Sequence, residues 1–138
     1  MADNQALMRR FVDEYQTKGD EAVADELLAD DFVDRSPFGP FSPDKAGVLQ
    51  LSAFLRGAFP DLAAEIHDQV VDGDKVWTRK TFSGTHEGEF LGIPPTGKRV
   101  AWDVIDIERQ PPGDAAALSS SVFASAPRQL NPLIRPRF

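Results

Sequence analysis

Two side chains in this sequence have the type and setting for proton-transfer chemistry. Asp106 closes a run in which Val100, Trp102 and Val104 occupy alternate positions, so an extended chain puts its carboxylate on a face with three apolar side chains. A carboxylate is expensive to bury unpaired, and desolvation favours the form that holds a proton, which suits a general acid or base near neutrality. The competing reading is a surface Asp near a strand end, paired with Arg79 or Lys80. His86 is one of only two histidines and stands where a strand-like run passes into a loop. Imidazole titrates nearest neutral pH, so it could pass a proton to or from a ligand. Equally, His86 could bond a backbone carbonyl of residues 88–92 and only hold the loop. His67, mid-strand between Ile66 and Asp68, reads as a solvated or internally satisfied residue.

The elements that must position these groups lie in residues 74–109. Residues 75–86 and 99–109 alternate β-branched or aromatic side chains with polar ones, the period of a half-buried strand. The connection, residues 87–98, carries Gly88, Gly92, Gly97 and the pair Pro94-Pro95, which predicts an ordered, irregular loop of the kind that often holds binding residues. Trp77, Phe82, Phe90 and Trp102 supply apolar walls suited to a flat ring system. Tyr15 is a core residue whose hydroxyl could reach a cavity, and Asp34, beside Arg35 on a short strand, completes the set of substrate-binding candidates.

Upstream, Leu7, Met8, Phe11, Val12 and Tyr15 form one stripe of a helix over residues 4–17. Asp20 can cap a shorter helix with Val23, Ala24, Leu27 and Leu28 on its buried face. A short strand follows near residues 30–35, then a loop with Phe38 and Phe41. Ser42-Pro43-Asp44 predicts a third helix with Ser42 as N-cap and Pro43 at the first helical position, ending before Pro60. Residues 63–71 read as a strand, and Asp72-Gly73-Asp74 as a hairpin turn. Three helices against one face of a curved antiparallel sheet make an α+β layer architecture.

At 138 residues the simplest organisation is one domain, residues 1–110, followed by an atypical segment, residues 111–138. That segment holds five of the eleven prolines and one acid, Asp114. Residues 115–126 could make one more strand or helix, while Pro127, Pro132 and Pro136 make the remainder irregular. The net charge of −7 argues against a nucleic-acid or anionic-membrane surface. Without cysteine there are no disulfides and no thiolate ligands, and two distant histidines make a dedicated zinc site unexpected. No Gly-x-Gly-x-x-Gly, phosphate loop or Gly-x-Ser-x-Gly elbow is present. With no signal-peptide pattern and no apolar run near the roughly 20 residues of a membrane span, a cytoplasmic protein is expected.

Gly84-Thr85-His86-x-Gly88-x-Phe90-x-Gly92-Ile93-Pro94-Pro95-Thr96-Gly97-Lys98-x-Val100, with Ile105-Asp106-Ile107-x-Arg109, resembles the SnoaL-like polyketide cyclase family over roughly residues 5–110. The resemblance implies an NTF2-like cone, in which helices close over a bent sheet around an apolar pocket. It implies intramolecular aldol closure of a polyketide-like carbonyl substrate by acid–base residues, with no metal or cofactor. It also implies a homodimer formed through the open sheet face. By the same alignment Asp106 matches the family's pocket aspartate. The family's usual turn and last strand, with Glu-His-Trp, do not follow Arg109; Gln110-Pro111-Pro112-Gly113-Asp114 stands there instead. The expectation is therefore a lost final strand and an exposed sheet edge, or a replacement by residues 117–124.

The function these residues support is a cofactor-independent cyclase or isomerase acting on a small apolar carbonyl compound, with Asp106 as proton donor or acceptor and His86 as its helper. The alternatives are an epoxide hydrolase or ketosteroid-isomerase-like enzyme using the same pocket, and a non-catalytic NTF2-like module that binds a small molecule or only dimerises.

Overall fold

A computed structural model describes residues 4–37, 39–110 and 118–125. Phe38, residues 111–117 and the expected irregular run through Pro127, Pro132 and Pro136 lie outside the described residues. Helix α1 (Asn4–Arg10) passes directly into a π-helical run (Phe11–Thr17), followed by α2 (Glu21–Leu27), β1 (Leu28–Asp34), α3 (Lys45–Ala58), β2 (Ala63–Asp72), β3 (Lys75–Thr85), β4 (Arg99–Arg109) and β5 (Leu118–Ser125). The strands form one open sheet in the order β1-β5-β4-β3-β2. It is antiparallel except where β1 meets β5 in parallel, so the sheet is mixed. No helix among the described residues is long and apolar enough to cross a membrane.

The first helix forms for the reason its stripe predicts: Met8, Phe11, Val12 and Tyr15 are all buried. Its second half is π-helical, a wider coil than the α-helix. The widening turns Tyr15 and Gln16, adjacent in sequence, to the same interior space as Phe11. Arg56 of α3 closes the end of this run by donating to the carbonyls of Tyr15 (2.9 Å) and Gln16 (2.7 Å). Asp20 caps α2 as expected, accepting from the Ala22 amide.

The start of α3 differs from the sequence expectation. The N-cap is Asp44, which accepts from the Gly47 amide at 2.9 Å, and Ser42 donates to the same carboxylate at 2.7 Å. The carbonyl of Pro43 is taken by the amide of Asp34 in β1, which draws Pro43 out of the helix and onto the strand.

Strands β3 and β4 pair residue for residue from Lys75↔Arg109 to Thr85↔Arg99 and carry the alternation read from the sequence. Val76, Thr78, Lys80, Phe82 and Gly84 point inward from β3, and Val100, Trp102, Val104, Asp106 and Glu108 from β4. Of the two expectations for the last strand, loss or replacement by residues 117–124, the structure has a strand in that place, β5 (Leu118–Ser125). β5 inserts between β4 and β1 with Leu118 fully buried, so β4 is not an edge. The physical reason is that Leu118 supplies the apolar contact and the backbone of a serine-rich strand completes both ladders.

Residues 86–98 fold back against the end of α3. The amides of Glu87 and Gly88 both donate to the Ala58 carbonyl, at 3.0 and 3.1 Å. A Cβ on Gly88 would lie 2.0 Å from the Gly57 carbonyl oxygen, so only glycine permits this approach. The loop's Phe90 is thereby set in a ring cluster, with centroids 5.5 Å from Phe59 and 5.6 Å from Phe54.

Candidate active site

Between the helices and the inward face of the sheet lies a cavity of about 180 Å³. Phe11, Tyr15 and Gln16 line it from the π-helical run, Val48, Leu51, Ser52 and Leu55 from α3, and Lys80, Phe82, Trp102, Val104, Asp106 and Glu108 from the sheet. Phe82 and Trp102 are cross-strand partners whose rings stack at 5.5 Å, forming a flat apolar wall. Drug-sized ligands usually occupy ~300–1,000 Å³, so this shape fits a compound of one or two rings.

One end of the cavity is charged. Lys80 is 1% exposed and its ammonium pairs with Asp106, itself buried, across the β3–β4 ladder. Lys80 Nζ also donates to Gln16 Oε1 at 2.6 Å and lies 5.0 Å from the Phe82 ring centroid. An ammonium has three N–H donors. Two have protein acceptors, Asp106 and Gln16. Leaving either member of such a pair alone in an apolar interior is strongly unfavourable. The carboxylate is therefore buried, as the first reading of Asp106 had it, and paired with Lys80, as the second had it.

Two further carboxyls face the same space. Burial pushes Glu108 up to about 8, with the neighbouring Asp106 charge adding to it and the Ser121 hydrogen bond opposing it. That bond, 2.8 Å from Ser121 Oγ to Glu108 Oε1, comes from β5 across a direct register pair. Burial also raises Asp34 above the ordinary aspartate range, against the Ser36 amide that donates to Oδ1 at 2.9 Å; Asp106 raises it further. The Tyr15 hydroxyl is buried without a hydrogen bond of ordinary geometry, with Ser52 beside it, and burial raises its titration. Among the described residues no three His, Cys, Asp or Glu side chains are placed to share a metal ion.

The structure brings together Asp106, Trp102, Phe82, Phe90, Tyr15 and Asp34 from the sequence candidates. Trp77 and His86 do not line the cavity. Trp77 is 43% exposed on the outer face of the sheet: it stands five residues from Phe82, an odd interval, so the two rings must point to opposite sides. His86 is buried against Phe59, with ring centroids 5.7 Å apart. Its Nδ1 meets the Thr96 hydroxyl at 2.9 Å and accepts from the Thr96 amide at 3.3 Å, while its own amide and carbonyl bond Lys98 and Gly97. Those bonds close the loop on itself. His67 lies on the outer side of the protein, exposed, against the Thr81 hydroxyl.

Sequence reasoning missed Glu108 and the cavity role of Lys80. Both were detectable by parity, since Glu108 is two residues beyond Asp106 and Lys80 two before Phe82. Gln16 and Ser121 carried no such signal. The first depends on the π-helical turn and the second on a strand order that no local pattern states.

The sequence matches the SnoaL-like polyketide cyclase family over residues 6–113. Among solved structures, AclR of Streptomyces galilaeus, a proposed hydroxylase, superposes with a TM-score of 0.82 at 27% identity, covering 97% of this chain and 82% of that one. IdmH of Streptomyces antibioticus, a proposed polyketide cyclase, gives 0.82 at 26% identity over 96% of this chain and 99% of that one. TsrD of Streptomyces laurentii gives 0.82 at 25% over 98% of both. No curated protein matches.

Proposed function

We propose that this chain, which belongs to the SnoaL-like polyketide cyclase family, catalyses cyclisation or isomerisation of a small apolar carbonyl compound by acid–base chemistry without a cofactor. The observation that carries the reading is a buried Lys80–Asp106 pair set into an otherwise apolar, ring-lined cavity. Asp106 takes a proton from the carbon next to the substrate carbonyl and returns it after the new bond or double bond has formed. Lys80 offsets the charge of Asp106, and its third N–H is available to an enolate oxygen. The stacked Phe82 and Trp102 hold the flat part of the substrate against the sheet. His86 holds the loop that carries Phe90.

A 1,5-diketone closes by aldol addition to a β-hydroxy ketone and then loses water to give a cyclohexenone, so the absorbance of the enone reports on this activity. Positioned proton transfer contributes about 10²–10⁴ in rate, and Asp106→Asn is expected to lose that factor. Because the variant also leaves the buried Lys80 without its counter-charge, its fold is checked by circular dichroism before turnover is compared. Unchanged turnover in Asp106→Asn would remove Asp106 from the chemistry.

A further inference from the structure

Glu108 is a buried carboxyl of the cavity that the reaction above does not use. It is 4% exposed, it lines the cavity, and its two oxygens have different surroundings. Oε1 accepts from Ser121 Oγ, whereas Oε2 is buried with no hydrogen-bond partner. The Ser121 hydroxyl donates, so Oε1 is the acceptor oxygen and a proton on this carboxyl belongs on Oε2. A buried O–H without an acceptor is disfavoured in a finished interior. The groups facing Glu108 do not meet that need: Lys80 and Ser121 offer donors, while Asp106 and Asp34 act on it through charge.

We infer that Glu108 is a second functional acid of this site, whose Oε2–H donates a hydrogen bond to a carbonyl oxygen of the ligand, with Ser121 of β5 as the residue that positions it. The inference deepens the acid–base reading and rests on it. It specifies the ligand end that meets the charged side of the cavity as a neutral hydrogen-bond acceptor, a ketone or aldehyde oxygen rather than a carboxylate, which Asp106 would repel. It also gives β5 a part in the chemistry: the strand that replaces the family's usual ending supplies the hydroxyl that orients the acid. Burial raises Glu108 to about 8, so the donor is present at neutral pH and lost as pH rises past that value.

The test uses the full chain and two neutral probes of nearly equal shape, 2-acetylnaphthalene and 2-ethylnaphthalene, titrated by fluorescence from about pH 6.5 to about 9.5. One neutral hydrogen bond corresponds to about a tenfold change in affinity. The dissociation constant of the ketone is expected to rise about tenfold over that range, with its midpoint near 8, while the ethyl compound stays level. Glu108→Gln keeps a donor at every pH and should bind the ketone without the pH step. Ser121→Ala removes the bond that favours the charged form and should move the midpoint upward. Asp34→Asn should leave the step in place. A step that survives in Glu108→Gln, one that disappears in Asp34→Asn, or equal profiles for the two probes would overturn the assignment. If neither probe binds at any pH, the cavity reading and this inference fall together. Ketone binding with the expected step but no Asp106-dependent turnover removes the proposed reaction and keeps the donor.

Discussion

Replacing Lys80 by Met isolates the electrostatics of the cavity, because Met has nearly the same length and no charge. In the wild-type protein the Lys80 ammonium is 1% exposed and bonded to Asp106 and Gln16. The variant leaves a carboxylate buried beside Glu108 and Asp34 with no cation, and breaking one member of a buried pair costs about 3–5 kcal/mol. The Gln16 oxygen loses its donor as well, which adds ~1 kcal/mol where no water replaces it. For a chain of this size each kcal/mol lowers Tm by roughly 3–5 °C, so Lys80→Met should melt about 9–30 °C lower. The double variant Lys80→Met with Asp106→Leu removes both charges and should recover to within about 1–2 kcal/mol of wild type, since well-packed apolar residues replace buried pairs at little net loss. Urea denaturation of the three proteins at neutral pH measures this directly. A single variant within about 1 kcal/mol of wild type, or a double variant no better than the single, would show that the pair is hydrated and that the cavity does not desolvate its charges.

Three other outcomes follow from the same arrangement of residues. Glu108 holds its proton to about 8 when folded but releases it near the ordinary glutamate value of 4.5 when unfolded. Its contribution is present below 4.5 and lost as pH rises to about 8, so stability should decline across that window; Glu108→Gln should flatten the decline in a pH series of urea melts. Gly88→Ala places a Cβ 2.0 Å from the Gly57 carbonyl and should cost about 1–3 kcal/mol or more, with faster amide exchange at Glu87 and residue 88. On the outer face Val70, Trp77, Ile107 and Val122 form one register row across β2, β3, β4 and β5, and Val70, Trp77 and Val122 are exposed. We propose that this row is where two copies of the chain associate. Sedimentation should show a dimer that Trp77→Glu weakens, and a wild-type monomer at working concentration would count against it.

The resemblance found in the loop motif and the fold it implied agree with the family match and the solved structures. Local patterns carried much of this. The β3–β4 hairpin was legible because its alternation is a property of an extended chain, and Asp106, Phe82 and Trp102 fell on the right face by that rule alone. The same rule, applied to Trp77 and Glu108, would have excluded the first and included the second. The rest was not local. Whether the Asp106 carboxylate stands bare or paired depends on a lysine 26 positions away that the ladder brings beside it. Gln16 reaches Lys80 only because the helix widens, and Ser121 reaches Glu108 only because β5 enters the sheet interior beside β4. His86 had the right chemistry for proton transfer, yet packing put it against Phe59 and gave its Nδ1 to the loop. Sequence by itself determined which faces are apolar and which residue types were available, because those follow from periods of two and of about 3.6. Only the tertiary structure decided which charges meet and which lose water, because burial and pairing are set by contacts between segments far apart in the chain.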